Sequence, residues 1–119
     1  MKKIKIDIAD TPSSRSQGLM FRKTIPEDYG MLFVMDKSQK MNFWGANTYV
    51  PLDIAFIDDN KKITSIKKIV PMSYRAVSSD DNCKYALEAS INFFDNNKIG
   101  IGSYVDFENG ELTFVAEKD

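Results

Sequence analysis

Leu52-Asp53-Ile54-Ala55-Phe56-Ile57-Asp58-Asp59-Asn60-Lys61-Lys62-Ile63-Thr64-Ser65-Ile66-Lys67-Lys68-Ile69 is the stretch on which the fold class turns. Leu52, Ile54 and Phe56 alternate with Asp53, Ala55 and Ile57, the two-residue period of a strand. Asp58-Asp59-Asn60-Lys61 is a turn by composition. Ile63, Ile66 and Ile69 have helical spacing, but the segment is short and follows a strand and a turn. A returning strand with a bulge near Ser65 accounts for it, because a bulge shifts side-chain parity by one. The stretch is read as a β-hairpin.

Towards the N-terminus, Val50 precedes Pro51, which favours extended backbone there. Met41, Phe43 and Gly45 share one face of a predicted strand over 41–46, with Asn42 and Trp44 on the other. Met31 to Met35 is an unbroken apolar run, as in a strand buried on both faces. Thr11-Pro12 opens a short helix over 12–17, with Thr11 as cap, Pro12 at the first helical position and Gly18 as stop. Ile4, Ile6 and Ile8 mark a strand over 2–9. Towards the C-terminus, Pro71 to Asn82 reads as a polar loop of twelve residues. Residues 84–90 alternate, 91–97 suit a second short helix, and Ile99, Ile101, Val105 and Phe107 share a strand face. Asn109-Gly110 is a strong hairpin signal, and Leu112 and Phe114 face inward on the last strand. The expected architecture is mainly β: a single domain over 1–119, with seven or eight short strands and one or two short helices. It would form a jelly-roll-like sandwich or a partly closed barrel.

Composition narrows the function classes. Sixteen basic and seventeen acidic residues give a net charge of −1, which offers no field for nucleic acid or an anionic membrane. There is no histidine and one cysteine, so Ser-His-Asp triads, Cys-His dyads and zinc sites of the Cys/His kind are excluded. Neither a cofactor nor a metal is expected. Methionines 20, 31, 35, 41 and 72 are read as core filling rather than soft-metal ligands. Cys83 follows Asp80-Asp81-Asn82, acids that disfavour a thiolate, and is expected to be inert. The alternating N-terminus lacks the continuous apolar core of a leader, and no run is long enough to span a membrane. The chain is expected to be cytoplasmic.

Ala9-Asp10-Thr11-Pro12, Arg15, Gly18-Leu19-Met20-Phe21-Arg22, Gly30-Met31-Leu32-Phe33-Val34, Phe43-Trp44, Asn47-Thr48 and Pro51-Leu52-Asp53-Ile54 follow one another in a pattern that resembles the bacterial and archaeal family named domain of unknown function 192. The resemblance runs from about Ile4 to Phe107 and is strongest over residues 9–58. It implies a compact, jelly-roll-like β-fold. Many members look exported or lipid-anchored, an expectation not carried over to this chain. The family usually reads Phe-Trp-Met-Lys-Asn-Thr; here Gly45-Ala46 stand where Met-Lys would be, so a basic side chain beside Asn47 is missing.

Three sets of side chains could carry chemistry. Arg15 and Arg22 offer guanidinium forks for an anion, or pair with Asp53 to pin the first helix to the sheet. Trp44, Asn47 and Thr48 could form a platform for a sugar or base, or cap a second apolar layer and close a turn. Asp53 and Glu88 could act as the paired carboxylates of a hydrolase, or serve as salt-bridge partners. The favoured reading is a non-catalytic binding domain for a small polar or anionic ligand, a saccharide among the candidates. It would use Arg15, Arg22, Trp44, Asn47, Thr48 and Asp53. A hydrolase using Asp53 and Glu88, and a protein–protein interaction module, are the alternatives.

Overall fold

The computed structural model describes residues 1–116. In chain order the elements are β1 (Lys3–Ala9), α1 (Pro12–Gln17), β2 (Tyr29–Gln39), β3 (Asn42–Phe43), β4 (Leu52–Ile57), β5 (Ile63–Ile69), β6 (Val77–Ser78), β7 (Cys83–Ser90), α2 (Phe93–Asn96), β8 (Tyr104–Glu108) and β9 (Glu111–Val115). Seven strands form one sheet in the order β5-β4-β7-β2-β1-β9-β8, and β3 pairs with β6 in a separate ribbon. The β1–β2 pair is parallel, with Ile6 opposite Gly30, and α1 lies in the crossover between them.

The sheet curls. Its two edge strands approach at one end, where Lys62 bridges to Tyr104, the Ile63 amide donates to the Ser103 carbonyl, and the Val105 amide donates to the Lys61 carbonyl. Of the two forms expected, a jelly-roll-like sandwich and a partly closed barrel, the second is the one adopted, because a single curled sheet takes the place of two packed ones. All seven strands and α2 send side chains into one apolar cluster, among them Ile4, Leu32, Ile57, Leu87, Val105, Leu112, Phe93 and Phe94. The outer face of β2, β4 and β7 carries a second cluster built on Phe33, Leu52, Ile54, Phe56 and Ala86. Leu19, from the segment after α1, and Met41, just before β3, complete it.

Local chemistry explains the elements. The Thr11 hydroxyl accepts from the Ser14 amide at 3.1 Å, and the Ser14 hydroxyl accepts from the Thr11 amide at 3.0 Å, a reciprocal cap that starts α1 at Pro12. Asn109 and Gly110 take φ of 52° and 77°, closing the β8–β9 hairpin. In the β4–β5 hairpin, Phe56 opposes Ser65 while Ile57 opposes Ile63, so the bulge falls at Thr64, one residue from its expected place.

Four sequence expectations are corrected. The strand over 41–46 shrinks to Asn42–Phe43. The Pro71–Asn82 loop contains β6, whose Val77 and Ser78 pair with Phe43 and Asn42. Ile99 and Ile101 precede β8, and Ile101 is exposed in a turn. Ile8, at the end of the Ile4-Ile6-Ile8 stripe, is exposed as well. Among the described residues, no helix is long and apolar enough to cross a membrane.

Candidate binding cavity

A cavity of about 580 Å³ lies between α1 with its following turn, the outer face of β2 and β7, and the β3 ribbon. That volume is in the range of small-molecule sites. Phe33 and Met35 reach it from β2, Met41, Phe43 and Trp44 from the ribbon, and Leu19 and Met20 from the turn after α1. Phe33 and Phe43 meet edge to face with centroids 4.9 Å apart, so these aromatic walls brace one another.

Glu88 is the polar group in this apolar setting. It is 5% exposed, lines the cavity, and its side chain forms no hydrogen bond or ion pair with any described residue. Burial pushes its carboxyl up to about 8. Gly18 makes this arrangement possible. With φ 48° and ψ −131° it holds a backbone that other residues resist, and a Cβ there would stand 3.2 Å from the Phe33 ring and 3.7 Å from Glu88 Oε1.

Two cations line the same cavity. Arg15, in the last turn of α1, donates through Nη1 to the carbonyls of Asp10 and Val34, each at 2.9 Å. Lys40 donates through Nζ to the carbonyls of Ser79 and Asp80. Neither has a carboxylate partner among the described residues.

The sequence candidates divide cleanly. Arg15, Trp44, Thr48 and Glu88 meet at the cavity, whereas Arg22, Asn47 and Asp53 do not line it. Arg22 lies 3.8 Å from Asp7 and stacks over Tyr29 at 5.3 Å. The Tyr29 hydroxyl donates to Asp7 at 2.6 Å and is pushed up to about 12, first by burial and then by that bond. Asn47 takes φ 56° in a turn, and its carbonyl accepts from the Phe21 amide at 2.8 Å. Asp53 sits on the opposite face of the sheet, where Lys68 Nζ donates to it at 3.0 Å. The expected pairing of Asp53 with Arg15 or Arg22 is therefore replaced by a pairing with Lys68, the cross-strand neighbour at that register. Asp53 and Glu88 share no cavity.

Sequence reasoning did not single out Gln17, Gln39, Lys40 and Asn42, which also line the site. Gln39 ends β2, Lys40 lies in the turn after it and Asn42 opens β3, and their convergence on α1 depends on the parallel β1–β2 pairing. Arg15, Gly18-Leu19-Met20, Phe33, Phe43-Trp44 and Thr48, all within the family pattern, line the same space. Cys83 is buried with its Sγ 3.4 Å from the Thr64 hydroxyl, and its thiol is pushed up by burial first and by Asp58, Asp81 and Asp80 after it. Among the described residues, no group of three or more His, Cys, Asp or Glu side chains is placed to hold a metal ion.

This architecture recurs in solved structures. A candidate transcription regulator from Sinorhizobium meliloti 1021 is 30% identical, with a TM-score of 0.81 over 93% of this chain and 81% of its own. A protein of unknown function from Novosphingobium aromaticivorans DSM 12444 is 26% identical, with a TM-score of 0.85 over 87% of this chain and 75% of its own. No functionally curated protein matches the chain. The profile of the family described as uncharacterized ACR, domain of unknown function 192, matches residues 1–107, and the chain belongs to that family.

Proposed function

We propose that this domain is a non-catalytic binding module whose cavity takes a small polar or anionic ligand. The observation that carries the reading is the convergence of Arg15, Lys40 and an unpartnered Glu88 on one apolar-walled space of about 580 Å³. Binding sites for small molecules combine largely apolar walls with a few placed polar groups, and that is the composition here. Trp44 and the amides of Gln17, Gln39 and Asn42 suit a saccharide among such ligands. An NMR titration of the isotopically labelled chain against sugars, nucleotides and carboxylates tests the reading. Shifts should map to Gly18, Phe33, Phe43 and Trp44; a panel that moves none of them ends it.

A second reading, as a protein–protein interaction module, draws on the surface beside the cavity. Phe21, Trp44, Tyr49, Val70, Met72 and Tyr74 are all exposed. Their segments interlock: the Phe21 amide donates to the Asn47 carbonyl, the Gly45 amide to the Ser73 carbonyl, and the Met72 amide to the carbonyls of Gly45 and Thr48. An apolar surface of this kind is a frequent contact site. Light scattering of the wild type and Trp44→Ala tests it, with a dimer lost in the variant as the expected result. A cytoplasmic location accords with a buried, unpaired thiol at Cys83, and cell fractionation checks it.

A further inference from the structure

Of the charged side chains that line the cavity, Arg15 comes from α1, Lys40 from the turn after β2 and Glu88 from β7. A guanidinium has five N–H donors and an ammonium three. Among the described residues Arg15 directs only Nη1 at the protein, to two carbonyls, and Lys40 likewise satisfies two carbonyls. Donors on both cations are left for a guest; Asp80, which pairs with Lys67, also lies close enough to Lys40 to feel its charge, whereas Arg15 forms no ion pair among the described residues. The third group, Glu88, is buried beside Gly18, and its side chain has no partner among the described residues.

We propose that the cavity selects a small organic anion with an apolar body: the charged head meets the free donors of Arg15, the body lies against Phe33, Phe43 and Trp44, and Glu88 donates a hydrogen bond to a ligand oxygen. The inference rests on the binding role proposed above and names the ligand class of that same site. A cationic guest would meet the positive charges of Arg15 and Lys40, of which only Lys40 has a carboxylate nearby. A neutral guest can accept from the Arg15 donors but leaves the guanidinium charge without a counter-charge. A carboxylate matches the guanidinium in both charge and shape. The raised carboxyl of Glu88 is mostly protonated at neutral pH and so can serve as a donor beside an anion. Ionisation removes that donor and adds a repulsive charge, so binding requires the protonated form.

Three probes share one apolar body and differ in the head group: 3-phenylpropanoate, 3-phenylpropylamine and 3-phenylpropanol. NMR titrations of the labelled full chain at pH 6.5 and pH 9 separate the cases. The carboxylate should bind more tightly than the amine and the alcohol at pH 6.5. Its affinity should fall about tenfold by pH 9, the loss expected when only the protonated fraction is competent. Glu88→Gln keeps a neutral donor at every pH and should bind the carboxylate at both pH values without that loss. Tighter binding of the amine or the alcohol overturns the ligand class while leaving the binding role intact. An unchanged pH dependence in Glu88→Gln overturns the role of Glu88. Failure of all three probes to shift the cavity residues overturns the inference, and the broader panel then decides whether the site binds anything.

Discussion

Asp53 and Glu88 occupy adjacent strands one register step apart and point to opposite sides of the sheet: Asp53 lies across from Ala89, and Glu88 across from Ile54. Each carboxylate therefore has its own task. Asp53 is buried with Lys68, whose side chain is more than half exposed. Removing the exposed partner is the more damaging change, because Lys68→Met strands a buried charge whereas Asp53→Asn strands none. Lys68→Met is expected to cost about 3 kcal/mol and Asp53→Asn less. Urea denaturation of the two variants checks the order, and the reverse order would show that the pair does not hold Asp53 in place.

Glu88 makes stability depend on pH in a definite direction. Its carboxyl is raised from an ordinary 4.5 to about 8 in the folded chain. Below 4.5 both folded and unfolded states keep the proton and nothing is lost. Between 4.5 and about 8 only the folded state keeps it, so stability falls as pH rises, by at most about 1.4 kcal/mol per unit. Above that window the loss is complete and constant. Glu88→Gln lacks this contribution, so its melting temperature relative to wild type should climb between pH 5 and pH 8 and then level off. Parallel curves across the whole range would show that the group is not buried as described.

Gly45 is fixed by contact with a neighbouring backbone. A Cβ at that position would stand 1.8 Å from the Val70 carbonyl oxygen, whereas one at Gly100 would meet nothing. Gly45→Ala must part the two segments and is expected to destabilise the fold by about 1–3 kcal/mol, as overpacking does, with Gly100→Ala near neutral. Thermal melts of both variants make the comparison. The same contact accounts for the departure from the family pattern: a methionine cannot replace Gly45 while Val70 lies where it does, and Ala46 is buried where a lysine would be expected.

Ser65 carries a buried hydroxyl with no hydrogen-bond partner among the described residues. An unsatisfied buried polar group costs free energy that an apolar replacement recovers. Ser65→Ala should raise stability by up to about 1 kcal/mol in chemical denaturation. A loss of stability would mean that the hydroxyl has a partner after all.

The features legible in the sequence are those governed by local chemistry. The Thr11 cap, Pro12 and Gly18 define α1 over its full observed length, Asn109-Gly110 defines a hairpin, and the parity change in β5 locates a bulge to within one residue. The assignment of faces was harder. Asp53 and Glu88 each lie opposite the large apolar residues of their own strand, which does not place them on a common side. In β4 the large residues Leu52, Ile54 and Phe56 belong to the outer cluster, whereas in β7 Tyr85 and Leu87 belong to the inner one. Because β4 is buried on both faces, its sequence carries no polarity signal to separate them. The cavity was hidden for a related reason: it depends on α1 and the β2–β3 turn meeting across a parallel pairing, and period-two alternation does not encode pairing partners.

Trp44 is the single tryptophan of the chain, half exposed where it borders the cavity and set edge-on to Tyr74 at 5.4 Å. The molecule thus carries its own optical reporter at the entrance of the space in question. Any guest that covers the indole should move its emission maximum, so unlabelled protein suffices for a fluorescence survey of compound collections.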